Sequence, residues 1–478
     1  APDEADLFAS REVQLPDGSV RCKTSLRKFR DACDAYTPEV VREVTGVEED
    51  DLSRAAEVLW ESASVAYYAW NGVGQSVTAT QTDRAISILY GLLGSYGRQG
   101  GNVPGGAALV NDIAGHDILS DAQRSKALGL DERPLGPGRL GWVTARDVWR
   151  AVLDGEPYPV RMLFSFGGNP LASQPDTERA KAAFKKLEFH VHADFFLNPS
   201  AEYADIVLPV ATSWEREGLR TGFDASLEGL KKFQLRPAVI DPVGQSRSDT
   251  DIALALADRL GLRELMFGCD VDRGHNHILA PSGLDVAQLR RQPEGVTVDG
   301  EAALEAYRDG GFPTPTGRLE IYSEQLLEIG QDPVPTLGRQ GVSETPDPEY
   351  PLQLGCAKTV AYCHSQHRNI PSLRRLAQDP PLEMSAETAQ AHGVTDGDWV
   401  RVTTRTGAFI ARAKIVAGVT EGAVFAQHGW TIDNALNGLI AEDRGLSANM
   451  NTAISTDQAD PISGSIPLRC SRCRIELL

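Results

Sequence analysis

The sequence predicts an α/β protein that combines a doubly wound parallel-sheet region with a C-terminal β-barrel. The first observation is that short apolar strands alternate with polar loops and helices over residues 65–265, the pattern of a parallel sheet covered by helices. The second is that the apolar positions change to a period of two from Pro351 onward, with turn residues between the strands. Ligands of doubly wound sheets bind outside the carboxyl ends of the strands, so the loops there are candidates for function.

These patterns divide the chain into four predicted segments. Residues 1–64 are interpreted as the end of a preceding α/β domain, with an entry turn and a helix over 36–60. Residues 65–265 form the α/β domain, 266–344 an irregular connector rich in Pro and Gly, and 345–478 the β-barrel domain.

Strand-loop units make up the predicted α/β domain. The strand Val65–Ala69 leads to a helix over Thr82–Leu93, and the strand in VRMLFSF leads to a helix over Thr177–Lys186. Two more strands lie in EFHVHADFF and ADIVLPVATSWEREG, and a capped helix in SDTDIALALADRLGL ends at Gly261. In the barrel domain, DWVRVTTRTGAFIARAKIV predicts a hairpin around Thr406-Gly407, and GAVFAQHGW predicts another strand.

Composition argues against several kinds of partner. The 478 residues carry a formal net charge of −19 and no Lys or Arg cluster that could follow a phosphate backbone, so no nucleic acid is expected. No run reaches about 18 apolar residues, so no direct membrane insertion is expected, and any export signal is expected upstream of this sequence. The seven cysteines are too few for a disulfide framework, and the Cys470–Cys473 pair is a weak metal signal.

Polar residues follow three of the predicted strands. In FSFGGNPLASQPD, Gly167 and Gly168 lack a Cβ, so their backbone N–H groups can approach a pyrophosphate, while Asn169 can donate and accept toward a base or ribose. Asp194 ends the next strand, where its carboxylate could accept the paired N–H groups of a guanine ring. Three further polar residues, Asp205, Thr212 and Glu215, lie in the third strand-loop unit. Each alone is more often a turn, a cap or a surface charge, but three such strand ends favour one ligand-binding crevice.

Seven segments in the same order resemble the dimethyl sulfoxide reductase family of molybdenum and tungsten enzymes. The similarity is greatest to the branch of thiosulfate or polysulfide reductases, acetylene hydratase and related dehydroxylases. The segments are WNGVGQSVTATQTDRAISILYGLLGSYGRQGGNV, FSFGGNPLASQPD, HADFFLNPSAEYADIVLPVATSWEREGL, PTPTGRLEIYS, HSQHRNIPSLRRL, AETAQAHGVTDGDWVRVTTRTGAFIARAKI and SANMNTAISTDQADPISGSIPLRCSRCRIE.

The resemblance implies a bis(molybdopterin guanine dinucleotide) cofactor carrying molybdenum or tungsten, and a barrel of the double-psi type. It implies two-electron oxygen- or sulfur-transfer chemistry on a small-molecule substrate, which the sequence does not identify. It implies that Gly167, Gly168, Asn169 and Pro170 line one cofactor and that Asp194 reads its guanine. The remaining residues that it implies for cofactor binding are Gly72, Gly74, Gln75, Gly355, Cys356, Lys358, His364, Ser365, Arg368, Asn449 and Asn451. Thr212 and Glu215 are added as candidates from their place in the third strand-loop unit.

Two departures from the family pattern stand out. The branch commonly has a Thr-Gly and an Arg where this sequence reads LQLGCAKTV, so Cys356 and Lys358 alter the expected grip on the pterin. The family also has an N-terminal 4Fe-4S domain and a protein ligand to the metal, which we expect upstream of this sequence, in the same gene product or a split subunit. No metal ligand and no catalytic residue are therefore assigned within this chain.

Partners and alternatives follow from the same resemblance. A ferredoxin-like electron-transfer subunit and a membrane anchor are plausible partners, with a location in the cytoplasm or on the outer face of the cytoplasmic membrane. His364 is the stronger of two histidine candidates for contact with the pterin, and His428 is the weaker. Two other functions stay open, a scaffold or electron-transfer complex subunit without an active metal and a simple nucleotide-binding α/β protein.

Overall fold

Three strands of the chain pair in parallel, in the region where alternating strands and helices predict a parallel sheet. The computed structural model describes residues 4–103, 109–222, 226–299, 304–337, 347–431 and 447–478. The chain forms two compact units: unit one takes in the described parts of residues 1–104, 303–351 and 457–470, and unit two takes in the rest. None of the helices in the described residues combines the length and apolar character that a bilayer crossing requires.

Unit one is mostly helical. Its two strands, β1 (Ser10–Leu15) and β2 (Gly18–Lys23), form an antiparallel hairpin. Its helices are Glu4–Leu7, Ser25–Cys33, Pro38–Thr45, Glu49–Glu61, Ala79–Leu92, Tyr307–Gly310 and Glu324–Glu328. The helix predicted over 36–60 is two helices, because Gly46 adopts φ 72° and ends the first one in the left-handed conformation.

The prediction of a strand over Val65–Ala69 is wrong. Its backbone does not join a sheet, because side chains occupy its hydrogen-bonding groups. The N–H of Val65 donates to Ser95 Oγ at 3.0 Å. The carboxamide of Asn102 accepts from the N–H of Tyr67 at 2.6 Å and donates to its carbonyl at 2.7 Å.

The parallel sheet of unit two consists of β3 (Met162–Phe166), β4 (Phe189–Asp194) and β5 (Ile206–Pro209), in that order. The predicted helix Thr177–Lys186 is confirmed and connects the first two strands, with the Asp176 side chain capping its start. This helix packs into a core with the helix Ala145–Leu153; the buried residues are Trp149, Val152, Leu171, Ala180, Ala183 and Phe184. Parallel pairing aligns the carboxyl ends of the strands, which brings the loops after β3, β4 and β5 to one edge.

A second sheet in unit two pairs β6 (Gly218–Thr221), β7 (Lys232–Arg236) and β8 (Val296–Thr297) in antiparallel fashion. The stretch expected to be an irregular connector is partly helical, because apolar residues of two helices pack on β7. The buried residues of this core are Phe233, Leu235, Leu279, Val286 and Leu289. The other helices of unit two are Asp121–Arg124, Pro170–Ser173, Leu227–Lys231, Asp249–Arg259, Val271–Leu279, Val286–Arg291, Pro371–Arg374 and Ala386–Ala391.

The predicted barrel is confirmed as a closed barrel of six strands. They are β9 (Leu352–Ala357), β10 (Pro381–Met384), β11 (Trp399–Thr403), β12 (Ala408–Ile415), β13 (Ala423–Gln427) and β14 (Ser471–Leu477). Their order is β10-β12-β11-β14-β9-β13, with two parallel pairs, β10 with β12 and β9 with β13. The predicted hairpin is β11 with β12, where Thr403 lies opposite Ala408.

A buried ion pair stabilises the helix before β3. Arg133 Nη2 donates to both carboxylate oxygens of Asp147, at 2.5 and 2.7 Å, and both side chains are almost fully buried. Thr144 Oγ1 donates to the same carboxylate at 2.6 Å. A Cβ at Gly129, whose φ is +83°, would lie 2.5 Å from Asp147 Oδ2, so only glycine leaves room for the carboxylate.

We expect Asp147→Ala to lower the free energy of unfolding by about 3–5 kcal/mol, because it leaves the Arg133 guanidinium buried without its carboxylate. Urea denaturation followed by circular dichroism measures the change. Glu188→Ala is the matched control, since it breaks a pair with Arg161 at 2.5 Å in which both side chains are exposed. Equal destabilisation by the two substitutions would contradict a special role for the buried pair.

Candidate cofactor-binding site

The loop after β3 begins with two glycines whose backbone is open to approach. Gly167 has φ 57°, in the left-handed region that favours glycine, and its N–H donates to Ala193 O at 2.8 Å. A Cβ on Gly167 would meet nothing within 4 Å, and one on Gly168 only Phe166 O and Pro170 Cδ at 3.9 Å. The N–H of Gly167 thereby ties the end of β3 to the end of β4.

Asn169 is held in place by the loop after β4. Ser200 Oγ donates to Asn169 Oδ1 at 2.9 Å and accepts from the N–H of Leu171 at 3.1 Å. Asn198 Oδ1 in turn accepts from the N–H groups of Ser200 and Ala201, at 3.0 and 3.1 Å. Ser200 is fully buried, so this contact is an internal brace between two of the predicted binding loops.

Asp194 has an internal donor on each carboxylate oxygen. Oδ1 accepts from the N–H of Phe195 at 2.6 Å, and Oδ2 accepts from Asn198 Nδ2 at 2.8 Å. The side chain keeps 15% of its surface exposed. A carboxylate oxygen has two acceptor sites, so Asp194 retains the capacity to accept further N–H groups from a ligand.

Asn198 is hydrogen-bonded to a row of polar side chains of β3 and β4, in which His190 and His192 are buried. Asn198 Nδ2 lies 3.1 Å from His192 Nε2, and Ser165 Oγ lies 2.8 Å from His192 Nδ1 and 3.0 Å from His190 Nε2. Burial lowers the pKa of His190, which keeps its imidazole neutral near pH 7. Because an amide nitrogen only donates, His192 Nε2 accepts from Asn198 and His192 Nδ1 donates to Ser165.

The predicted carboxylates on either side of β5, Asp205 before it and Glu215 after it, accept hydrogen bonds from the backbone. Glu215 Oε2 accepts from the N–H of Thr212 and Oε1 from the N–H of Val243, each at 2.6 Å. These hydrogen bonds, that from Thr212 first, lower the pKa of Glu215. Asp205 Oδ2 accepts from the N–H of His190 at 2.8 Å. A direct part for Thr212 or Glu215 in ligand binding stays a prediction.

Arg368 is a buried cation in the barrel domain. Its guanidinium lies 4.6 Å from the ring centre of Tyr362 and 4.8 Å from that of Trp430, and only 2% of the residue is exposed. Nη2 donates to His428 O at 2.7 Å and Nη1 donates to His364 O. Burial lowers the pKa of Arg368 to about 10. In the part of the chain that the structure describes, Nε has no hydrogen-bond partner and no carboxylate pairs with this residue.

The two loops around Arg368 approach each other closely. A Cβ at Gly429, whose φ is +84°, would lie 2.5 Å from His364 O and 2.7 Å from the Cα of Ser365, so only glycine fits there. His428 precedes this glycine and contacts two other side chains. Its Nε2 lies 3.2 Å from His364 Nδ1, and its Nδ1 lies 3.2 Å from Cys356 Sγ. A Cβ at Gly355 would lie 2.6 Å from the Phe425 ring. Lys358 is exposed.

The predicted asparagines near the C-terminus bind the loop after β3. Asn449 Nδ2 donates to Leu171 O at 2.8 Å, and Asn451 Nδ2 donates to Ala172 O at 2.9 Å. The N–H of Asp176 donates to Asn451 O at 2.9 Å. Both asparagines are buried, so the structure gives them the role of joining the barrel to the helix Pro170–Ser173.

The other predicted residues lie in unit one. Gln75 Oε1 accepts from Arg469 Nε at 2.9 Å, and Gln75 O accepts from the N–H of Arg469 at 3.2 Å. A Cβ at Gly72 would lie 3.8 Å from the Arg469 guanidinium, and one at Gly74 would lie 3.9 Å from Asn71 O.

Sequence reasoning missed several residues that organise the site, namely His192, Asn198, Ser200, Gly429 and Arg469. The Asn-Pro-Ser turn that follows Asp194 was a usable signal, because Asn and Ser side chains commonly hydrogen-bond to nearby backbone in turns. Among the described residues, no group of three or more His, Cys, Asp or Glu could hold a metal ion.

The pH dependence of stability should reflect His428. Burial lowers its pKa to about 4, with repulsion from His364, Arg368 and Lys358 adding to the effect. An unfolded histidine titrates near pH 6.5, so the unfolded chain binds the proton first as the pH falls, and stability present above about pH 6.5 is lost between about 6.5 and 4. We expect the urea midpoint of His428→Gln to fall less than that of the wild type over this range. Equal falls in the two proteins would contradict the assignment.

Family models match two regions of the chain, one that includes the parallel sheet and one that includes the barrel. A family model described as molybdopterin oxidoreductase matches residues 56–259, and one described as molydopterin dinucleotide binding domain matches residues 352–470. The chain is similar to dopamine dehydroxylase of Eggerthella lenta, at 24% identity over 97% of the chain and 54% of that protein. It is also similar to dimethyl sulfoxide/trimethylamine N-oxide reductase of Rhodobacter capsulatus, at 30% identity over 57% of the chain and 36% of that protein.

A solved structure confirms the fold class. Acetylene hydratase from Pelobacter acetylenicus superposes with a TM-score of 0.80 at 22% identity, covering 95% of this chain and 66% of that one. The chain spans about half the length of the curated relatives it matches. The two family matches together cover more than half of the chain, which belongs to the molybdopterin oxidoreductases of the dimethyl sulfoxide reductase family.

Proposed function

We propose that this chain is the bis(molybdopterin guanine dinucleotide)-binding portion of the catalytic subunit of a molybdenum or tungsten oxidoreductase. The observation that carries the proposal is the braced pair of loops after β3 and β4. Asn169, Ser200, Asn198 and Asp194 form one continuous hydrogen-bonded network there. It presents a carboxylate and an open glycine backbone at neighbouring strand ends, where a guanine and a pyrophosphate would each find suitable partners.

The residues present fit such a cofactor. Gly167 and Gly168 leave the backbone open, and Asp194 keeps unused acceptor sites for the N–H groups of guanine. In the barrel domain, Arg368 is a buried guanidinium without a carboxylate in the described residues, next to Lys358, His364 and Ser365 in the same loop region. An uncompensated buried cation is costly, and an anionic ligand would offset that cost.

The remaining predicted residues take supporting parts in this proposal. Asn449 and Asn451 already donate to backbone carbonyls, so they act on the cofactor mainly by fixing the loop that it would contact. Gly72, Gly74 and Gln75 would approach the pterins, with Arg469 holding Gln75 in position. When bound, the cofactor would supply a metal that exchanges oxygen or sulfur with a small-molecule substrate in two-electron steps. We also propose that a 4Fe-4S cluster lies in the domain expected upstream of this sequence, and that an electron-transfer subunit is a partner.

Cofactor analysis of the native protein, purified with the rest of its gene product and any partner subunit, tests the proposal. Elemental analysis should find molybdenum or tungsten, and acid release should yield about two guanine nucleotides per metal. If the protein contains neither metal nor nucleotide, the proposal is overturned and a scaffold or electron-transfer subunit is favoured. Saturable binding of free GMP by metal-free protein would favour a simple nucleotide-binding protein instead.

Asp194→Asn should lower cofactor retention. Replacing a charge-assisted pair of hydrogen bonds with a mismatched amide costs on the order of 1.5–3 kcal/mol, which corresponds to about a tenfold to hundredfold loss of affinity. The measurement is guanine nucleotide released per protein after extensive dialysis. Glu202→Gln, an exposed carboxylate in the same loop, is the control and should retain wild-type nucleotide content.

Asn198→Ala should produce the same loss of nucleotide as Asp194→Asn, because Asn198 donates to the Asp194 carboxylate and holds the N–H groups of Ser200 and Ala201. Thermal unfolding of the variant separates a binding defect from a folding defect. Wild-type nucleotide content in both variants would show that Asp194 only caps its own loop.

A further inference from the structure

Cys356, His428 and His364 form a continuous chain of titratable side chains in the barrel domain. Cys356 Sγ lies 3.2 Å from His428 Nδ1, and His428 Nε2 lies 3.2 Å from His364 Nδ1. Cys356, at the inner end, is 3% exposed, His428 is half-buried, and His364 at the outer end is exposed. The three groups come from β9, from the loop after it and from the turn after β13, so the fold brings them together from separate parts of the sequence.

The two histidine contacts restrict where the protons lie. A neutral imidazole has one N–H, so two nitrogens 3.2 Å apart need one donor and one acceptor. In the first arrangement the Cys356 thiol donates to His428 Nδ1, and His428 Nε2–H donates to His364 Nδ1. In the second, His364 Nδ1–H donates to His428 Nε2, and His428 Nδ1–H donates to a Cys356 thiolate. Each arrangement satisfies both contacts of His428, and they differ by one proton on sulfur.

The surroundings keep both imidazoles neutral. The charged groups that act on them are Lys358 and Arg368 from the loop region after β9, and Tyr362 and Arg374 lie beside Arg368 in turn. Burial, followed by repulsion from His364, Arg368 and Lys358, lowers the pKa of His428 to about 4. Burial and Lys358 also lower the pKa of His364. An imidazolium would add a positive charge beside existing ones, whereas a thiolate at Cys356 would be attracted to them.

We propose that Cys356, His428 and His364 form a proton wire that carries the proton of the buried Cys356 thiol to solvent. The S–H bond of Cys356 breaks as the Nδ1–H bond of His428 forms. The Nε2–H bond of His428 breaks as the Nδ1–H bond of His364 forms, and His364 Nε2–H gives its proton to water. The products are a Cys356 thiolate, a hydrated proton and two neutral imidazoles with exchanged tautomers.

The wire depends on the thiol at position 356. A Ser or Thr hydroxyl there would not ionise in the accessible pH range, whereas a cysteine thiol does so near pH 8.5 in model peptides. The thiolate is the nucleophilic and metal-binding form of cysteine; burial disfavours it by desolvation and also removes direct proton exchange with water. The two imidazoles supply the route that burial removes. The wire uses only residues of this chain.

The wild-type protein, labelled with ¹⁵N-histidine, tests the proposal. Nitrogen shifts should show His428 changing from the Nε2–H to the Nδ1–H tautomer as the pH rises, in step with loss of the Cys356 S–H stretch in infrared difference spectra against Cys356→Ser. Cys363→Ser, which removes an exposed thiol from the same loop, is the control and should leave this switch intact. An unchanged His428 tautomer across the titration of the thiol would overturn the wire.

The outer end of the wire has its own test. In His364→Phe, exchange of the Cys356 S–H for S–D after dilution into heavy water should be slower than in the wild type, because the exit to solvent is gone. His367→Phe, at an exposed histidine of the same loop, should exchange at the wild-type rate. Equal exchange rates in His364→Phe and the wild type would show that the proton leaves by another route.

Discussion

The contact between two buried asparagines and the helix Pro170–Ser173 is the constraint on which the candidate site depends. Asn449 and Asn451 donate to the carbonyls of consecutive residues, Leu171 and Ala172, almost 280 positions away along the chain. The asparagine turn is itself held from the other side by the β11–β12 hairpin, because Thr404 Oγ1 donates to Ala453 O at 2.7 Å. A Cβ on Gly407 at the hairpin tip would lie 2.4 Å from Thr452 O, so the hairpin can approach only with glycine there. The barrel therefore sets the position of the loop after β3. A change in barrel packing would shift this loop and its glycines.

The same loop is fixed from the sheet side by a network of polar side chains. Ser200 joins Asn169 to Asn198, Asn198 joins Asp194 to His192, and Ser165 joins His192 to His190. Groups already held in place lose less conformational entropy when a ligand binds, so more of each new hydrogen bond appears as affinity. Under the proposed function, such local groups would let a chain with a net charge of −19 bind an anionic dinucleotide. In the proposed function, the backbone around Gly168 and a few local cations such as Arg368 would replace the basic surface of other phosphate-binding proteins.

Local signals in the sequence account for most of the fold and for less of the site. The helix Thr177–Lys186, the β11–β12 hairpin and the strands β3 to β5 follow from periodicity, caps and turns, which act over a few residues. The apolar stretch Val65–Ala69 has the composition of a strand, but Ser95 and Asn102 occupy backbone groups that a neighbouring strand would need. Asn198 and Ser200 were not singled out because their importance comes from contacts with other loops. Asn449 and Asn451 were picked out by resemblance, and only the structure reveals that their amides are committed to backbone carbonyls.

The cluster around Arg368 illustrates how one glycine can determine the chemistry of its neighbours. Gly429 allows its turn to pack against His364 and Ser365, and any side chain would push the two loops apart. Arg368 then bridges the carbonyls of His364 and His428, and the rings of Tyr362 and Trp430 enclose its guanidinium. With both loops fixed by the same cation, the His364 and His428 imidazoles are brought within hydrogen-bond distance, although the charge beside them disfavours protonation of either ring. Close backbone packing and a buried cation thus place two imidazoles with lowered pKa values in contact with each other and with a thiol, which is the arrangement that the proposed proton wire requires.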